Sequence, residues 1–192
     1  VRTLREELDV PVTVKIRIGR VPDHIVGADF ARAMEAAGAS AIAVHGRVAS
    51  QMYRGQSSAD AIARVVDAVS VPVIASGDAL SAARAARLLK DTGAAACFVA
   101  RGSYGDPWVF GNARRILDGE DALEVTPEMR LAAFRLHVRL LGATGAHIAR
   151  ARSLAGWYLR GVPEAAAWRE RAMHCVTLDD YLTLADELEA TL

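Results

Sequence analysis

Four times in the first hundred or so residues, an apolar run stops on glycine or on a side chain able to meet an anion. Lys15 and Arg17 end the first run, His45-Gly46-Arg47 the second, Ser76-Gly77-Asp78 the third and Ala100-Arg101-Gly102 the fourth. Cations beside glycine turns suit an anionic ligand. Glycine lets the backbone come close, and the free N–H groups that open a following helix favour negative charge. Lys15 lies among Val and Ile, where an inward ammonium requires an anionic partner or a ligand; on an outward or edge face it needs only water. His45 stands next to Arg47 and within reach of any ligand at its strand end, although a lone histidine there is as readily structural. Taken singly, the third and fourth glycines are generic turns. As two successive strand-to-helix loops they favour a phosphate-bearing ligand.

The elements that would position these residues alternate. Strands are expected over residues 11–18, 41–44, 72–75 and 95–100, with helices over about 28–37, 59–69, 82–90 and 108–117. Short apolar strands followed by amphipathic helices make βα units on a parallel sheet. Their repeat of about 30 residues suits a (β/α)8 barrel, while a doubly wound sheet carries the same alternation. Beyond residues 118–121 no strand is expected. Thr126-Pro127 pairs an N-cap with proline at the first helical position and opens a helix to about residue 143. Further helices over about 146–160 and 164–173, and from Thr177 onward, make a small bundle. The division falls near residue 120.

Composition bounds the partners. The 192 residues hold 23 basic and 23 acidic groups, so overall charge offers no attraction to nucleic acid. The charge is unevenly distributed, however: residues 128–171 carry eight arginines against three glutamates, and residues 172–192 carry five acids and no base. A basic helical segment suits a phosphate backbone, and a solvated helix face accounts for the same charge. Cys97 and Cys175, 78 positions apart, form neither a metal spacing nor a disulfide framework, and are expected reduced. No metal is expected. The longest apolar run, residues 94–100, is seven residues, far below a bilayer span. A cytoplasmic protein without a membrane partner is therefore expected. The sequence opens on Val1 and reads as a piece of something longer.

Four stretches together resemble the tRNA-dihydrouridine synthase family: residues 12–19 (VTVKIRIG), 45–55 (HGRVASQMYRG), 71–78 (VPVIASGD) and 100–110 (ARGSYGDPWVF). Residues 156–161 (GWYLRG) are similar to the tryptophan–tyrosine signature of that family's helical domain. The resemblance covers about residues 10–190 and implies an α/β fold: the second half of a (β/α)8 TIM barrel followed by a C-terminal helical bundle. Residues 1–120 would be the last four βα units of an FMN-binding catalytic domain, and residues 121–192 a helical tRNA-binding domain. The implied activity is FMN-dependent reduction of uridine to 5,6-dihydrouridine in tRNA, with NADPH as reductant. By the same resemblance Lys15 contacts the flavin ring and His45 sits beside it. Ser76, Gly77, Asp78, Ala100 and Arg101 hold the FMN phosphate, and Arg47 and Tyr53 lie towards the uridine.

Three departures qualify that reading. The family's general acid is a cysteine in an Asn-x-Gly-Cys-Pro context, which this sequence lacks; no catalytic residue is assigned, and the chain alone is expected to be inactive. Ser76 stands where the family usually has asparagine, a change compatible with contacts made by backbone N–H groups. Ser153-Leu154 replaces a basic pair often found ahead of the Gly-Trp, which weakens the docking expected of that helix. Two other readings stay open: another FMN-barrel oxidoreductase acting on a small substrate, and an RNA-binding fragment without chemistry.

Overall fold

A computed structural model describes all 192 residues. Helix α1 (Arg2–Glu7) precedes strand β1 (Thr13–Arg17), a hairpin of β2 (Gly19–Val21) and β3 (His24–Ile25), helix α2 (Gly27–Ala36), β4 (Ala41–His45), α3 (Ala59–Val66), β5 (Val73–Ser76), α4 (Ala82–Thr92), β6 (Ala96–Phe98) and α5 (Val109–Leu117). Helices α6 (Pro127–Ala143), α7 (Arg150–Tyr158), α8 (Ala165–His174) and α9 (Leu178–Glu189) complete the chain. It divides into two compact units, residues 1–102 with 111–121, and residues 103–110 with 122–192. No helix is long and apolar enough to cross a membrane.

In the first unit, β1, β4, β5 and β6 pair in parallel in that spatial order. Helix α2 packs on α3, and α3 on α4. Consecutive strands with neighbouring helices on one face form an arc of a (β/α) barrel. A doubly wound sheet would reverse its strand order and place helices on both faces. Side chains alternate across the sheet: Val14 and Ile16, Ile42 and Val44, and Val73 and Ala75 turn towards the helices, where they meet Ile62 and Val65 of α3. Ser58 and Ser81 cap α3 and α4 by accepting from the N–H groups of Ala61 and Arg84. Gly93 ends α4 in the left-handed region, at φ +67°.

Two elements differ from the sequence expectation. The β2–β3 hairpin carries no apolar run to announce it, and α1 buries none of its residues. Both therefore lack the hydrophobic periodicity that identifies an element in sequence.

The second unit is helical. On α6, Leu131, Phe134 and Val138 share one face and are fully buried. They join Leu154 and Tyr158 of α7, Trp168 of α8, and Tyr181 and Leu188 of α9 in a single core. Thr126 caps α6 ahead of Pro127. Thr177 and Asp180 form a capping box on α9. Helix α7 begins four residues later than its sequence pattern suggests, after Gly145 turns the chain at φ +66°. Arg135 reaches from α6 to Asp186 at 2.7 Å and Glu189 at 2.8 Å on α9, and Arg171 pairs with Glu187. The acids of the last helix thus neutralise part of the basic segment.

Because Ile62 is fully buried between α3 and the sheet, Ile62→Ala is expected to lower unfolding stability by about 2–5 kcal/mol. Denaturant titration of the purified chain followed by far-UV circular dichroism checks this.

Candidate functional site

Partners in a parallel ladder share a face, so the register fixes which strand-end side chains stand abreast. Arg17, His45, Ser76 and Phe98 form one row at the carboxyl ends of the strands, on the face opposite the helices. Lys15 lies on the same face one row lower, beside Ala43. It is exposed there and makes no ion pair, so its ammonium is available to an anion. Arg17 donates to the Val48 carbonyl at 3.0 Å. Burial pushes the His45 imidazole below its ordinary value of 6.5, and the charges of Arg17, Lys15 and Arg47 push the same way against the opposing pull of Asp78. His45 is accordingly neutral at pH 7, offering one donor and one acceptor.

Behind this row lies an ion-pair network. The Arg47 residue is only 3% exposed. Its guanidinium donates to the carbonyls of Arg54 (3.2 Å) and Gly55 (2.7 Å) and to both carboxylate oxygens of Asp78 (2.8 and 2.7 Å). Asp78 also accepts from the Ser57 N–H at 2.8 Å and lies 3.6 Å from Arg101. Burial alone would raise the Asp78 carboxyl, but the Ser57 N–H and the two guanidiniums outweigh it and hold the group below its ordinary value. The Arg101 guanidinium in turn sits 5.4 Å from the centre of the Tyr53 ring, a cation–π contact.

The backbone at Gly77 and Asp78 is the feature best suited to a phosphate. Both residues have positive φ, +127° and +57°, and neither N–H donates to another backbone group. Successive N–H groups freed by such dihedrals form a concave donor site for anions. A Cβ at Gly77 would overlap Ser57 Oγ and come within 3.0 Å of the His45 ring, so only glycine fits. Gly102 is equally constrained, since a Cβ there would strike the Ala79 carbonyl and crowd Leu80. The loops after β5 and β6, the latter holding Ala100 and Arg101, therefore pack directly on each other.

The sequence-derived residues fall into two groups. Lys15, His45, Ser76, Gly77 and Arg101 face or border the open strand ends. Arg47 does not extend towards a ligand, because its bonds are directed at two carbonyls and a carboxylate inside the fold. The Asp78 carboxylate is likewise engaged with arginines and could not accept a phosphate; only its backbone N–H is free to do so. Tyr53 is 72% exposed on the same loop as Arg54 and Gly55. Sequence reasoning missed Ser57, whose N–H fixes Asp78 and whose Oγ is buried without a hydrogen-bond partner beside Gly77 and Gly46. Only its position in the Ser57-Ser58 pair that opens α3 hinted at it. Cys97 and Cys175 both have thiols raised by burial, and neither belongs to this row. No cluster of three or more potential metal ligands is present.

Because its folded value is depressed, His45 takes up a proton less readily than in the unfolded chain. It therefore contributes stability above about pH 6.5, and that contribution is lost as pH falls through the folded value. An NMR titration is expected to place its midpoint below 6.5, and Arg17→Gln is expected to move the midpoint upward. A midpoint at or above the ordinary histidine value would contradict this arrangement.

Comparison with known proteins bears on the whole chain. The model of the family described as "Dihydrouridine synthase (Dus)" matches residues 1–191. The chain is 36% identical over 188 residues to tRNA-dihydrouridine synthase B of Xanthomonas axonopodis pv. citri, covering 93% of this chain and 55% of that protein. It is 38% identical over 187 residues to a probable tRNA-dihydrouridine synthase of Rhodobacter capsulatus, covering 93% and 55%. With the probable tRNA-dihydrouridine synthase 1 of Synechocystis it shares 34% over 196 aligned residues, covering 100% and 55%. The chain thus spans about half the length of the curated relatives it matches. A solved nitroalkane oxidase from Streptomyces ansochromogenes overlaps it at a TM-score of 0.34 and 18% identity, too little to bear on the fold. A family match over residues 1–191, joined to an arc of parallel βα units, leaves one conclusion: the chain belongs to the dihydrouridine synthase family.

Proposed function

We propose that this chain is part of an enzyme that reduces uridine to 5,6-dihydrouridine in tRNA, using FMN as cofactor and NADPH as reductant. Residues 1–120 hold the flavin in this reading, and residues 121–192 meet the tRNA. The observation that carries it is the pair of undonated N–H groups at Gly77 and Asp78, set beside the row of Arg17, His45 and Ser76 with Lys15 one row below. The donor set suits a phosphate monoester joined to a flat ring. Gly77 and Asp78 offer N–H groups, Arg101 offers positive charge, and the open face offers Lys15 and a neutral His45 to the ring.

FMN, when bound, supplies the hydride that adds to the uracil ring. The chain's own residues bind and orient. Lys15 favours negative charge on the ring side, His45 can donate a hydrogen bond without carrying charge, and the Arg47–Asp78 pair keeps the two phosphate loops in place. The proton that must accompany the hydride has no donor cysteine here, since Cys97 lies in the β6 strand and Cys175 in the helical core with their thiols raised. The relatives act on tRNA by their names, and four arginines of the second unit, Arg139, Arg150, Arg160 and Arg169, have no ion-pair partner and are available to phosphates.

Titration of the purified chain with FMN, followed by quenching of flavin fluorescence, is expected to show saturable binding. Riboflavin, which lacks the phosphate, should bind at least about tenfold more weakly, a difference of about 1.4 kcal/mol. Lys15→Ala should weaken FMN without altering the circular dichroism. With tRNA and NADPH added, no dihydrouridine should accumulate from this chain alone. Equal binding of riboflavin and FMN would overturn the phosphate cradle, and turnover would overturn the need for a donor absent here.

A further inference from the structure

The helical unit contains a cavity that the flavin cradle does not use. About 470 Å3 of space opens among Tyr104, Gly105, His137, Arg150, Ser153 and Trp157, a volume within the range that binds small molecules. On α7 the spacing 150, 153 and 157 places three of these residues on one face. The Tyr104 and Trp157 rings stack with centroids 4.3 Å apart and planes 21° from parallel. Gly105 permits that stack. Its φ of +69° turns the chain, and a Cβ there would meet the Trp157 backbone at 2.6 Å. Tyr104 is 47% exposed, so the stack is not closed off from solvent.

Arg150 is exposed and has no acidic partner, whereas Arg135 and Arg171 elsewhere in the helical unit are both paired. His137 Nδ1 lies 3.3 Å from the Tyr158 hydroxyl, and its ring meets the Tyr158 ring edge-on at 5.9 Å. Within the same loop, Asp106 Oδ1 is buried without a hydrogen-bond partner, and its charge, after burial, raises the Tyr158 phenol. Tyr158 thus keeps its proton and remains a hydrogen-bond donor. An aromatic stack bordered by a free guanidinium and by hydroxyl and imidazole groups matches one chemistry well. It can extend onto the face of a heterocyclic base, bind that base's polar edge and pair with the attached phosphate.

We propose that this cavity binds an unpaired nucleotide of RNA, its base stacked on the Tyr104–Trp157 pair and its phosphate on Arg150. The proposal rests on the reading of tRNA as substrate, and adds a site on the helical unit for a nucleotide other than the one reduced. Stacking is tolerant of base identity, so the site reads an unstacked base rather than a sequence.

The test uses the whole 192-residue chain with adenosine 5′-monophosphate, adenosine and ribose 5-phosphate as probes. Adenosine 5′-monophosphate is expected to quench tryptophan emission saturably, adenosine to do so more weakly and ribose 5-phosphate not at all. Tyr104→Ala and Arg150→Gln, both exposed substitutions, should each weaken the mononucleotide by about fivefold or more and lower tRNA retention by a similar factor, with FMN binding unchanged. Unaltered quenching in both variants would overturn the site. Ribose 5-phosphate equalling the mononucleotide would reduce it to an anion site and overturn base recognition. Mononucleotide binding lost in the variants with tRNA retention intact would overturn the RNA assignment. Failure of FMN to bind bears only on the cradle, which keeps the two proposals separable.

Discussion

A guanidinium that is almost wholly buried must find acceptors inside the fold, because an unpaired buried charge costs several kcal/mol. Arg47 finds four, two on the turn at Arg54 and Gly55 and two on Asp78. That requirement ties three parts of the first unit together. The loop after β4 is folded back on itself, the end of β5 is drawn towards it, and Asp78 is held at a positive φ that frees its N–H. The positive-φ backbone with its free N–H groups follows from this ion pair, not from the glycines alone. Gly77 permits the conformation, and the Arg47–Asp78 pair selects it.

The same pair explains how charge is arranged at the strand ends. Arg47 and Arg101 meet the Asp78 carboxylate while the charges of Lys15 and Arg17 bear on His45, so cations outnumber the single acid at the strand ends. His45 lies in that field and loses its proton readily, after burial has already disfavoured the charged form. A neutral imidazole beside cations can donate or accept without adding repulsion among them. Ser57 completes the set through its N–H, while its buried hydroxyl packs against Gly77 and is the reason no larger residue fits there.

Much of this was legible in the residues themselves. The βα alternation and the helix starts at Thr126 and Thr177 are local signals, and each element they mark is present. Alternation indicated a parallel sheet without choosing between a barrel and a doubly wound sheet; the family resemblance pointed to the barrel, and the strand order β1-β4-β5-β6 agrees with it. The β2–β3 hairpin and α1 were silent because they bury almost nothing. At the site, residue type located the strand ends but not the direction of each side chain. Arg47 reads as a ligand group in sequence and proves to be an internal brace, because its partners at Arg54, Gly55 and Asp78 are set by how the loop turns. Ser57 was invisible for the same reason. The stacking of Tyr104 on Trp157 joins residues 53 positions apart, which no local pattern reports.

The central claim is that Arg47 and Asp78 act as one unit in holding the strand-end loops. A double-mutant cycle with Arg47→Met and Asp78→Asn, read by denaturant unfolding, tests it most directly. The account predicts a coupling energy of about 2 kcal/mol or more, with each single variant strongly destabilised and the double variant losing little beyond either. Effects that add to within about 0.5 kcal/mol would show that the two residues stabilise the fold independently and would contradict the account.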